Sequence, residues 1–132
     1  MFTSSTTARN AALDAYTARL NSGYIRLYSG AKPDSADVPA TGELLAEFRF
    51  SSPAFAGAVG GTILANTIDP CVSARASGTA GYLRAFESDG TTVVFDGDVG
   101  LIGSGAFHEM NSIVVIEGGT VSISEMILSL PA

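Results

Sequence analysis

Glycine and proline are unevenly placed along this chain. Residues 4–22, SSTTARNAALDAYTARLNS, hold neither, and the remainder carries all 15 glycines and 5 prolines. Alanine-rich sequence without breakers favours helix. Ser5, Thr6 or Thr7 can cap it by accepting an orphan amide proton of the first turn, and Gly23 can close it. Leu13, Tyr16 and Leu20 then form one modest apolar stripe, the mark of a helix that leans on something larger.

Beyond Gly23 the hydrophobic period drops to two. In Tyr24-Ile25-Arg26-Leu27-Tyr28 the aliphatics share one face and Tyr24, Arg26 and Tyr28 the other, which predicts a strand with an amphipathic outer side. Residues 29–42, SGAKPDSADVPATG, read as a turn-rich loop, longer than most, and such loops tend to carry function or lie on a partner. A second half-buried strand follows in ELLAEFRF. Its Leu44, Ala46, Phe48 and Phe50 oppose Leu45, Glu47 and Arg49. Pro53, Gly57, Gly60, Gly61 and Pro70 then break the chain into one or two short edge strands.

Two further strands, Thr79 to Glu87 and Thr91 to Asp96, flank Asp89-Gly90, a strong hairpin signal because glycine tolerates the positive φ of a tight turn. Glycines 97, 100, 103 and 105 mark a connection. Ser112 to Glu117 and Thr120 onward, joined by Gly118-Gly119, predict a second hairpin. The last run changes phase, from Val121 and Ile123 to Met126, Leu128 and Leu130, so a bulge near Ser124 to Met126 is expected. Seven or eight strands with one leading helix and no βαβ alternation predict a mainly β chain, an antiparallel, jelly-roll-like β-sandwich. We read one domain over 1–132, with an arm and helix at 1–22 and the sandwich at 23–132.

Composition narrows the function. Thirteen acids against 7 bases leave a net charge of −6, so no field gathers phosphate backbones and no nucleic-acid partner is expected. Only 15% of residues are charged, against roughly 25% in soluble domains, which predicts surface hidden in an assembly. Cys71, the only cysteine, allows neither an internal disulfide nor a multi-thiolate site. No run approaches the roughly 18 to 20 apolar residues that span a bilayer, and MFTSSTTARN lacks a charged region followed by an apolar one. Neither a membrane nor a cleavable export signal is expected, and synthesis in a cytoplasm is.

No catalytic, cofactor or metal site emerges. His108, the only histidine, has no nucleophile elbow near it and no activated pairing with Cys71. GLIGSG, 100 to 105, lacks the helix start and lysine of a phosphate loop. Asp96-Gly97-Asp98 begins like a calcium loop, but Val99 and Gly100 break the pattern. Asp96 and Glu109 form a glycosidase pair only if folding brings them together. The basic residues are more informative. Arg26 beside Tyr24 and Tyr28, Arg49 beside Glu47, and Arg84 beside Tyr82 and Phe86 have the composition of a protein interface. With Lys32 on the long loop, these residues form the expected contact set.

The order of segments ARNAALDA, YIRLYSGAKPDSAD, TGELLAEFRFSSPAF, GTAGYLRAFESDGTTVVFDGDVG and NSIVVIEGGTVSISEMILSLPA resembles a family of small virion structural proteins of tailed bacteriophages. The resemblance is one of pattern, from about Thr7 to Ala132. It implies a small β-rich, non-enzymatic, self-associating protein without cofactors. The implied role is capsid decoration or cement, on the outside of the shell of major capsid protein, after synthesis in the bacterial host cytoplasm. A homo-oligomer, trimer before dimer, suits repeated sites on capsid axes. The alternatives are a tail, connector or adhesion component, or a sugar-binding or hydrolytic module using Tyr24, Tyr28, Tyr82 and the acids at 96 to 98.

Overall fold

Ser5 opens the helix. In the computed structural model, which describes residues 1–132, its backbone is extended (φ −66°, ψ 157°) and its Oγ accepts the Ala8 N–H at 3.1 Å. Helix α1 covers Thr6–Ala18, shorter than the alanine-rich run, because the chain turns after Arg19. The Gly23 N–H closes that turn on the Leu20 carbonyl at 2.7 Å. Leu13 and Leu20 enter the core as the stripe predicts. Tyr16 instead lies against Phe95, ring centroids 6.4 Å apart, and stays partly exposed.

Nine strands follow: β1 Tyr24–Ser29, β2 Leu44–Phe50, β3 Thr62–Leu64, β4 Ile68–Asp69, β5 Gly78–Phe86, β6 Val93–Leu101, β7 His108–Met110, β8 Val114–Val115 and β9 Ile127–Ser129. Seven of them make one sheet in the order β4-β2-β1-β5-β6-β7, with β8 beside the start of β5. β3 and β9 pair separately. The molecule is thus mainly β with one helix, but the large sheet is mixed, since β6 and β7 run parallel. The expected all-antiparallel arrangement is corrected in that respect, and outside the large sheet there is only the two-stranded β3–β9 pair. Ile25, Leu27, Phe48 and Leu83 of the large sheet share a single core with Leu13 of α1, Ile63 of β3, and Ile123 and Met126. The helix is too short to cross a membrane.

The parallel pair depends on glycine. Parallel neighbours usually need a crossover of a dozen or more residues, yet only residues 102–107 separate β6 from β7. The loop doubles back directly over β6: a Cβ on Gly97 would stand 2.3 Å from the Phe107 ring, and one on Gly100 2.4 Å from Ser104 Oγ. Those glycines, expected in a connection, lie inside the strand and make room for its return.

The hairpin around Asp89-Gly90 is present, β5 pairing with β6 from Tyr82↔Asp98 to Phe86↔Val93. The second hairpin is not. Gly118 N–H bonds the Ala74 carbonyl at 2.9 Å, Ala74 N–H the Gly119 carbonyl at 2.8 Å, and β8 pairs with Gly78 and Thr79. Residues 114–121 therefore run antiparallel to 71–79, a partner remote in sequence. The phase change near 124 is also resolved differently from a bulge. Ile123 and Met126 are both buried while residues 122–126 belong to no strand. Leaving the ladder lets the chain present an odd and then an even residue to one core.

Candidate interaction face of the large sheet

Register places the predicted contact residues together. Tyr24 stands opposite Arg49 on one side and Phe86 on the other, Arg26 opposite Glu47 and Arg84, and Tyr28 opposite Tyr82. Residues directly across a ladder share a face, so six of the seven lie on the face of the large sheet opposite the core aliphatics Ile25 and Leu27. Arg49 covers the Tyr24 ring at 4.6 Å and Arg26 covers Phe86 at 4.3 Å, both within cation–π range. Tyr28 stacks on Tyr82 with centroids 5.1 Å apart. Burial raises the Tyr28 phenol above its usual 10.0 and the nearby Arg26 pulls it back in part.

The centre of this face is a charge ladder. Across four strands the order is Glu47, Arg26, Arg84, Asp96. Two arginines face each other, and each turns outward to its own carboxylate. Arg26 Nε meets Glu47 Oε2 at 2.7 Å, while Glu47 Oε1 takes Arg75 at 3.1 Å. Arg84 binds Asp96 through two bonds, 2.6 and 2.9 Å, a fork geometry that fixes both groups. The Asp96 hydrogen bond also pushes the Arg84 guanidinium up from its already high value, against the opposing effect of burial.

Burial divides the predicted set. Tyr24, Arg26 and Tyr28 are half-buried, and Lys32 and Arg49 are exposed. Tyr82 and Arg84 are only 0% and 3% exposed, so neither offers the accessible surface expected of it. Alternation alone puts them outside, but the long loop closes over Tyr82, whose hydroxyl donates to the Thr41 carbonyl at 2.6 Å and accepts the Thr41 N–H at 2.9 Å. The neck of that loop is held by Ser29 and Glu43, joined by bonds of 3.0 and 2.9 Å. Gly81 allows the closure, since a Cβ there would stand 1.7 Å from the Gly30 carbonyl oxygen. Lys32, on the exposed part of the loop, reaches only its neighbour's carbonyl, Pro33, at 3.2 Å.

The acids at 96 to 98 have structural work. Asp96 serves Arg84, and Asp98 accepts the Phe107 N–H at 2.8 Å, pinning the parallel crossover. Glu109 accepts the Gly105 N–H at 2.8 Å from the other side of that loop. Asp89 takes the N–H groups of Thr91 and Thr92, both at 2.9 Å. Hydrogen bonding from the Thr92 hydroxyl, then from these amides, lowers its carboxyl from 3.8 to about 2. Cys71 is buried opposite Val121, and His108 is buried opposite Val99.

Several exposed apolar side chains lie outside the predicted contact set. Ile102, Val114 and Ile116 are 66%, 61% and 64% exposed. The apolar run from Ile113 to Ile116 read as a strand, but only Val114–Val115 pairs, and Val115 alone of the run is buried. Comparison of the chain with protein-family models, curated proteins and solved structures finds no match in any of the three.

Proposed function

We propose that this chain is a non-enzymatic structural protein of a tailed-bacteriophage virion, a decoration or cement protein seated on the outside of the major capsid protein shell. The observation that carries this reading is the exposed apolar surface. Val59, Val72, Ile102, Val114 and Ile116 are each more than 60% exposed on a chain with few charges; Ile102 and Val114 border one cleft, and covering such side chains on docking is favourable. Tyr24, Arg26, Tyr28, Lys32 and Arg49 remain as accessible members of the contact set. Tyr82 and Arg84 act behind them by holding the loop and the ladder rigid.

The physical task is to tie neighbouring shell subunits together. Several weak contacts made by one rigid body add through effective concentration, and a homo-oligomer, a trimer before a dimer, multiplies them on a symmetry axis. A jelly-roll-like sandwich, with β3 and β9 as a rudimentary second sheet, belongs to the same proposal. A tail, connector or adhesion component has the same requirements and is the alternative. Cryo-electron microscopy of the parent particle separates them. Density for this chain on the outer capsid shell is the expected result. Density on the tail, or its absence from mature virions, refutes the cement reading.

A further inference from the structure

His108 on β7 is 8% exposed, yet its ring makes no hydrogen bond within the chain, and neither ring nitrogen is sealed among the fully enclosed unpartnered atoms. His108 borders two adjoining clefts, of about 320 and about 380 Å³, that share Ile102, His108, Glu109 and Ser124 as a common wall. Each is in the size range of small-molecule sites, roughly 300 to 1,000 Å³. Ring nitrogens that are not sealed can bond water in the free chain, and a hydroxyl-bearing ligand can replace those waters bond for bond.

The lining selects the chemistry. Neither cleft contains a lysine or arginine, and Glu109 and Glu125 are the charged groups that border them, so an anionic ligand is repelled. Burial lowers the imidazole below its ordinary 6.5, leaving it neutral at pH 7 with one nitrogen a donor and the other an acceptor. Ser122 and Ser124 border the first cleft and are likewise both donors and acceptors. A cation would use only the acceptors and leave those protons unmatched. Hydroxyl groups, which donate and accept, match both sides. Val121 and Ile102 supply apolar wall for C–H surface, and Phe107 in the second cleft supplies an exposed aromatic ring.

We propose that the two clefts beside His108 form a binding site for an uncharged polyhydroxylated ligand, a mono- or disaccharide unit, with the His108 ring and the Ser124 hydroxyl bonding it across the shared wall. The site is separate from the aromatic face of the large sheet; Ile102 and Val114 of its lining also belong to the proposed contact residues, but sugar binding by the isolated chain does not rest on a virion role. A single histidine makes the test direct, because its ring resonances need no assignment. The native protein is titrated with glucose, galactose, N-acetylglucosamine and maltose to about 50 mM each, a range that captures the weak affinity of a ligand with few contacts.

The expected result is a saturable shift of the His108 ring signals with at least one of these sugars. His108→Phe, which removes the nitrogens, weakens binding at least about tenfold. Should that variant not fold, Ser124→Trp at an exposed position fills the shared wall and abolishes the shift. No saturable shift with any of the four sugars overturns the proposal. So does binding that survives Ser124→Trp, or a ring signal that moves with protein concentration alone, which means that a second copy covers the clefts.

Discussion

Replacing Asp96 by alanine tests the charge ladder most sharply. The side chains of Arg84 and Asp96 are 3% and 4% exposed and meet at 2.6 Å. Without Asp96, Arg84 keeps its charge beside Arg26, and no carboxylate is spare, because Glu47 already divides its two oxygens between Arg26 and Arg75. An uncompensated buried charge costs about 3 to 5 kcal/mol, a large part of the roughly 5 to 15 kcal/mol that stabilises a domain. The melting temperature should fall by roughly 10 to 20 °C. The double replacement Arg84→Met with Asp96→Leu removes both charges and keeps the volume, so it should stay within about 1 kcal/mol of the parent or exceed it. Arg19→Ala, which breaks the more exposed pair with Glu87 (2.8 Å; side chains 62% and 28% exposed), serves as the reference, at under about 1 kcal/mol. Urea denaturation followed by circular dichroism measures all three. An Asp96→Ala loss no larger than the Arg19→Ala loss, or a double variant as unstable as Asp96→Ala, refutes the reasoning.

Three further outcomes are expected. Tyr82→Phe removes the hydroxyl that both donates to and accepts from Thr41; it should cost about 1 to 2 kcal/mol and speed hydrogen exchange at the Thr41 amide, while unchanged exchange there would mean that the loop is held elsewhere. Gly81→Ala drives a Cβ into the Gly30 carbonyl and should cost about 1 to 3 kcal/mol as the loop is pushed off the sheet; urea midpoints within error of the parent would contradict the contact. Burial lowers His108 below 6.5, so the unfolded chain takes up this proton at higher pH than the folded chain does. The stability linked to His108 is therefore whole above about 6.5 and declines as pH falls from there through the folded value. Urea midpoints at pH 7.5 and 5.5 should show that decline, and His108→Gln should flatten it.

Much of the local structure was legible. The Ser5 cap, the Asp89-Gly90 turn and the alternation in β1 and in β2 from Ala46 onward depend on interactions spanning a few residues, which sequence spacing records directly; at the start of β2 a register shift reverses the expected facing, pairing Leu44 with Tyr28 and burying Leu45. Alternation also named the right companions, since Tyr24, Arg26, Arg49, Tyr82 and Arg84 do share one face. It could not report what lies on that face. Tyr82 and Arg84 are enclosed because Thr41 and Asp96 reach them from 41 and 12 residues away, and a period of two carries no information about a covering loop.

The remaining differences have the same origin. Gly118-Gly119 looks like the centre of a hairpin because turn chemistry is local, but the strand that follows a turn pairs wherever its free amides and its apolar residue are best satisfied together. Here that is residues 71–79, brought alongside by the large sheet. Glycines 97 and 100 look like loop until the chain folds back over them. Dihedral preference and near-neighbour hydrogen bonds are enough to set the helix, the tight turn and the two-faced pattern of β1, whereas the three-residue β7 carries no such local mark. Which strands lie side by side, which face is covered and which charges are enclosed emerge with the folded chain. Those are set by the pairing and burial of groups far apart along the chain.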